Sequence, residues 1–262
     1  MRWISKLAML CLAMSVLCAA DAQTTPQSVK PILAGRIQAT AVTAFQMQQF
    51  LAARGPKLPS PRTSQEWNET ESRLREYLLD NIVFHGWPPE WISSRPRFEE
   101  VAVIETSYGY SLRKLRYEIV PGFWATAILY EPDHIRGKAP AILNVYGHLR
   151  LGGKAGEFIQ KRCINFAKRG IVTLCLEWIG FGELSNPYNW HNDYGPHLNL
   201  AGANVLGLFY LAMRRGLDYL AGLPEVDPTR IGMTGLSGGG WQTVVLSALD
   251  PRVAGPGIIE PL

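Results

Sequence analysis

Cysteine is scarce in this 262-residue sequence: four residues, of which Cys11 and Cys18 fall in the first 18 positions. The remaining pair, Cys163 and Cys175, cannot staple a domain of this size, so a disulfide framework is excluded and both read as small buried hydrophobes. Charge of one sign is also lacking. Lys and Arg total 26 against 22 Asp and Glu, and the basic residues form no run, which excludes a nucleic-acid footprint. No apolar run reaches the roughly 20 residues that a membrane span needs. Histidine is missing after position 237, an absence that matters below.

What is present begins with a leader. Arg2 and Lys6 precede an apolar stretch from Leu7 to Cys18, followed by Ala20-Asp21-Ala22. A basic start, a short apolar core and an Ala-x-Ala exit predict a signal peptide over 1–22, cleaved after Ala22, and a secreted or periplasmic protein with no stable membrane insertion. Residues 23–95 read as a partly helical extension. A short helix is expected around Thr40–Ala53, then the linker "RGPKLPSPR". A helix follows from Thr63, where "TSQE" has capping-box form and Trp67, Leu74, Tyr77, Leu78 and Ile82 make an apolar stripe that Gly86 and Pro88 terminate.

From residue 96 to 262 the pattern is that of an α/β domain. "VAVIETSY", "KLRYEIV" and "FWATAILYEP" read as antiparallel strands. "AILNV", "IVTLCLEW" and "RIGMTG" read as buried strands separated by helices at Glu157–Arg169, at about Leu198–Leu223 and at Gly238–Leu249. Near-continuous apolar strands alternating with helices predict a doubly wound, mostly parallel sheet covered on both faces. "VAGPGIIEPL" begins one further strand.

Gly235-Leu236-Ser237-Gly238-Gly239 fits G-x-S-x-G between a strand and a helix. In that setting the serine stands on a sharp turn above the sheet edge, and side chains at 235 or 239 would collide with the turn. A glycine-rich turn of this kind also cradles phosphate, but the flanking strand and apolar helix favour a nucleophile at Ser237. An acyl-transfer serine needs oxyanion donors: the N–H of Gly238, and a second from the loop "NVYGHLRLGGK".

Together with "RCINFAKRGIVTLCLEWIGFGE", "NLAGANVLGLFYLAMRRGLDYL" and "LPEVDPTRIGMTGLSGGGWQT", these segments resemble the acetyl xylan esterase and dienelactone hydrolase-like group of the α/β-hydrolase superfamily, over about residues 63 to 252. The resemblance implies Ser237 as nucleophile, with Gly238 and the His148 backbone N–H as oxyanion donors. It further implies an acyl-enzyme mechanism on small esters or acetylated carbohydrate, with no metal or organic cofactor. Two positions depart from it: Tyr146-Gly147 where such esterases often read His-Gly, and Glu177 where Asp is common.

In this fold the acid and the histidine of the triad follow the serine. The 25 residues after Ser237 hold Asp250, Glu260 and no histidine, and Asp250 reads as a helix-ending turn. His85, His134, His148, His191 and His197 all precede the serine; His191, Asp193 and His197 lack a standard zinc spacing. The expectation is a C-terminally truncated serine ester hydrolase, its last strands and triad acid and base absent. Two alternatives stand beside it: a prolyl-oligopeptidase-type peptidase, and a non-catalytic remnant that keeps the turn without the triad.

Overall fold

The computed structural model describes residues 26–149, 152–185 and 191–260. The predicted signal peptide lies outside them, as do two residues of the loop after "AILNV". The chain divides into two compact units between Ser60 and Pro61, inside the expected linker.

The first unit contains α1 (Pro26–Ala34) and α2 (Thr40–Arg54). No residue of α2 is buried, and Phe45, Met47, Phe50 and Leu51 are exposed. Among the described residues no helix is long and apolar enough to cross a membrane.

The second unit opens with α3 (Ser64–Leu78), which runs into a wider π-helical turn over Leu79–Val83. The expected cap is present: Thr63 Oγ1 accepts the Glu66 N–H at 3.1 Å. The Glu66 carboxylate accepts from the Arg62 N–H at 2.6 Å, one residue before the N-cap. The apolar stripe is thinly covered. Trp67, Leu74, Tyr77, Leu78 and Ile82 are each at least 40% exposed, and Val83 instead reaches the core. A short helix α4 (Pro89–Ser93) follows.

One seven-stranded sheet organises the rest. Its strands are β1 (Phe98–Ile104), β2 (Tyr110–Val120), β3 (Phe123–Pro132), β4 (Ala139–Asn144), β5 (Val172–Leu176), β6 (Val226–Leu236) and β7 (Val253–Glu260), in the order β1-β2-β3-β5-β4-β6-β7. β1, β2 and β3 are antiparallel neighbours, and β3 runs antiparallel to β5. From β5 through β4 and β6 to β7 the pairing is parallel. The parallel strands are apolar on both faces because helices cover both: every residue of β5 is buried.

The crossovers are α5 (Glu157–Ala167), α6 (His191–Leu200) with α7 (Val205–Gly222), and α8 (Gly238–Leu249). Where the sequence predicts one helix over Leu198–Leu223, the structure breaks it. Gly202 takes φ +85°, which ends α6, and the Asn204 side chain accepts the Leu206 N–H at 2.9 Å to start α7. Cys163 on α5 and Cys175 on β5 are buried free thiols, as expected. Because β4, β5 and β6 are parallel, the chain leaves all three at the same sheet edge, where α/β proteins place their ligands.

Candidate active site

At that edge β6 ends with Leu236 and α8 begins with Gly238, leaving Ser237 alone on the turn. Ser237 has φ 57° and ψ −121°, the only non-glycine with positive φ among the described residues. Such a conformation costs about 1–3 kcal/mol and persists only where the surroundings impose it. They do so by close contact with main chain on two sides and with one aromatic ring. A methyl on Gly235 would overlap the Gly239 carbonyl, and one on Gly239 would stand 2.9 Å from Tyr146 Cα. A methyl on Gly238 would stand 2.7 Å from the Trp178 ring. Gly235 and Gly239, the two glycines expected from the motif, are therefore required by this packing, and so is Gly238 between them. The first N–H groups of α8 point at the serine, where negative charge is favoured.

The segment leaving β4 passes directly over this turn. A methyl on Gly147 would lie 2.8 Å from the Gly238 nitrogen and 3.0 Å from Ser237 Cβ. Tyr146, Gly147, His148, Phe158, Leu236 and Ser237 line a cleft of about 260 Å³. That is small beside drug-sized pockets and is open to the serine. The His148 ring is seated edge-on against Trp178 (centroids 4.9 Å apart) and Phe181 (5.3 Å).

Beneath the cleft lies a buried polar knot that the sequence alone did not reveal. Glu177, just past β5, accepts hydrogen bonds from the Tyr146 hydroxyl, the Lys154 N–H at 2.9 Å and the Glu183 N–H at 3.1 Å. Lys154 Nζ pairs with Glu177 at 2.7 Å and with Glu183 at 2.8 Å, and also donates to Thr126 Oγ1 at 2.9 Å. The side chains of Lys154 and Glu177 are only 2% and 1% exposed. Gly153 and Gly182, both at positive φ, press against the carboxylate so closely that a methyl on either would overlap it. Burial, and next the charge of Glu177, hold the Tyr146 phenol far above its ordinary ionisation range, so it stays a donor. The carbonyl of Tyr146 accepts from Gln242 Nε2 at 2.9 Å.

Of the described histidines, His148 alone is in this cleft; His85, His134 and His197 are exposed elsewhere. The His191 side chain is outside the description. Asp250 is buried and faces Arg252, which donates to its two oxygens at 2.9 and 2.7 Å. Burial alone would raise the Asp250 pKa, but these bonds outweigh it and hold the carboxyl below its ordinary value. It is the helix-ending residue the sequence predicts. Among the described residues no three His, Cys, Asp or Glu side chains converge as a metal site. Sequence reasoning missed Lys154, Trp178 and Gln242, and its only signal for the knot was the pair of unusual positions, Tyr146 and Glu177.

The acetyl xylan esterase (AXE1) family model matches residues 104–261, more than half of the chain. An acetyl esterase of Xylanibacter ruminicola (Axe7A) is 27% identical over 135 residues, 42% of this chain and 31% of that protein. A Bacteroides fragilis NCTC 9343 protein described as an acetyl xylan esterase superposes with TM-score 0.65 at 18% identity, over 85% of this chain and 60% of that one. Acetyl xylan esterase 1 from Thermoanaerobacterium sp. JW/SL YS485 gives TM-score 0.52 at 22% identity, over 75% and 57%. The fold is thus that of these esterases, and the chain spans about a third of the curated relative's length and about three fifths of the structural relatives'. On the extent of the family match, the chain belongs to the acetyl xylan esterase family.

Proposed function

We propose that this protein is an exported carboxylic ester hydrolase, acting on small esters or acetylated carbohydrate through an acyl-enzyme on Ser237. The observation that carries the proposal is the backbone of Ser237. A serine kept at φ 57° and ψ −121° on a strand-to-helix turn, with a second loop pressed against it, is a strained residue whose use is to present a hydroxyl.

In the reaction proposed, Ser237 Oγ attacks the acyl carbonyl carbon while its proton passes to a general base. The carbonyl oxygen takes up negative charge between the N–H groups of Gly238 and His148. The tetrahedral adduct collapses, the alcohol leaves with a proton, and the acyl group remains on Ser237. Water then repeats the attack and releases the carboxylic acid. No step calls for a metal or an organic cofactor. The cleft of about 260 Å³ suits a short acyl group such as acetyl.

The base and its acid are part of the proposal. No histidine follows Ser237 in the 262 residues, and the relatives are longer than this chain. We therefore assign both groups to sequence beyond Leu262 in the working enzyme, and read the leader over 1–22 as the export signal.

Turnover of p-nitrophenyl acetate and acetylated xylo-oligosaccharide tests this. The 262-residue chain is expected to show only residual hydrolysis. The chain extended through the following reading frame is expected to gain turnover that Ser237→Ala abolishes. Robust Ser237-dependent turnover by the 262-residue chain would remove the external base. An extended chain indifferent to Ser237→Ala would remove the esterase reading itself.

A further inference from the structure

Tyr146 is held at both ends. At its ring end the hydroxyl donates to Glu177 and accepts the Trp178 N–H at 3.2 Å, and Glu177 is fixed in turn by both the backbone and the side chain of Lys154. At its main-chain end the carbonyl accepts Gln242 Nε2 at 2.9 Å. Gln242 is 3% exposed and stands on α8, one turn beyond Gly238, whose carbonyl it also approaches at 3.4 Å. The peptide so gripped leads straight into Gly147 and His148, which lie on the nucleophile turn.

We propose that Gln242, Glu177 and Lys154 act through Tyr146 as positioning residues that fix the His148 N–H relative to the Gly238 N–H. The inference rests on the reading of His148 as the second oxyanion donor. Gly238 is on α8 by its own main chain; the His148 segment belongs to a different crossover and is not. Gln242 ties that segment to α8 with a buried side-chain hydrogen bond, which couples the placement of the two donors. The Glu177 knot sets the other end of the same residue against the β5 loop, whose Trp178 and Phe181 also seat the His148 ring. Removing one oxyanion donor costs about 10²–10³ in rate in well-characterised enzymes, and displacement by an ångström has costs of similar order. A buried amide aimed at one carbonyl supplies directional control that an apolar side chain of equal size cannot. The two unusual sequence positions, Tyr146 and Glu177, are thereby a matched pair, joined by one hydrogen bond.

The test needs no triad. Acetate, an oxyanion with the geometry of the product, is titrated into the ¹⁵N-labelled 262-residue chain, and the Gly238 and His148 amide resonances are followed. In the native protein both are expected to shift saturably. In Gln242→Met, which keeps length and removes the donor, the His148 shift is expected to fall roughly threefold or more while Gly238 keeps its own. Tyr146→Phe is expected to do the same from the ring end, with both variants retaining their cooperative melting. Native-like shifts at both amides in both variants would overturn the positioning role and leave the oxyanion reading standing. Equal loss at both amides would assign these residues to general structure instead. No shift at either amide in the native chain would remove the oxyanion reading, and this inference with it.

Discussion

At the Ser237 turn, glycines are pressed by main chain, whereas around Glu177 they are pressed by a carboxylate. Gly235, Gly239 and Gly147 give way to neighbouring backbone so that one residue can be held in a conformation it would not choose. Gly153 and Gly182 give way so that one charge can be taken out of water and still be fully bonded. The first centre stores strain and the second satisfies a group that would otherwise be costly. The two meet at Tyr146, whose Cα lies against Gly239 and whose hydroxyl reaches Glu177.

The difference is sharpest in what happens when one side chain is removed. Lys154→Met leaves Glu177 buried without its cation, and breaking a buried pair in this way costs about 3–5 kcal/mol. Urea denaturation midpoints should drop accordingly. Replacing both residues, Lys154→Met with Glu177→Leu, removes the unpaired charge and should recover much of the loss, because apolar packing often substitutes for a buried ion pair. A double variant no more stable than Lys154→Met would mean that the knot's worth lies in its hydrogen bonds to Tyr146 and Glu183, not in the pair.

The strained centre should respond in the opposite direction. Ser237→Gly gives the turn a residue to which φ 57° is no burden, and a gain of about 1–2 kcal/mol in unfolding free energy is expected. Glycine also enlarges the freedom of the unfolded chain, which offsets roughly 0.5–1 kcal/mol of that gain. A Ser237→Gly variant less stable than the native chain would show that the serine side chain contributes bonds that outweigh its backbone strain.

The two centres were unequally legible in the sequence. The turn could be read because its parts are contiguous: a strand, five residues of motif and a helix lie within 230–249, and Gly235 presses on Gly239 only four residues on. The parallel strands were legible for a related reason, since burial on both faces leaves an unbroken apolar run such as Val172–Leu176. The knot was not, because its members come from three separate segments: Tyr146 and Lys154 lie in the loop after β4, Glu177 and Glu183 follow β5, and Thr126 is on β3. A lysine and a glutamate in glycine-rich loops read as surface charge until the fold brings them together. Gln242 was hidden in another way, as one of three polar side chains, with Thr243 and Ser247, in an otherwise apolar helix. The break at Gly202 was missed because the apolar period resumes in phase after it, and only the positive φ and the Asn204 cap mark the interruption. The stripe on α3 gave the helix but not its burial, since helical spacing reports amphipathicity and not how deeply a neighbour covers it.

The smallest effect separates the centres by pH. Glu183 sits at the rim of the knot, its side chain 55% exposed, and its hydrogen bond from Lys154 outweighs the opposing desolvation and holds its pKa below the ordinary 4.5. A carboxyl lowered on folding adds stability that is fully present above that ordinary value and is lost as the pH falls through the folded one. With so much exposure, solvent screening keeps the contribution to no more than about 1 kcal/mol. Native chain and Glu183→Gln should therefore differ in urea midpoint at pH 7 and converge as the pH is taken below 4.5. The gain from Ser237→Gly, which relieves backbone strain and titrates nothing, should hold constant over the same range. Convergence in the Glu183 comparison alone would separate a charge-built centre from a strain-built one; equal pH dependence in both would show that the turn and the knot are energetically coupled.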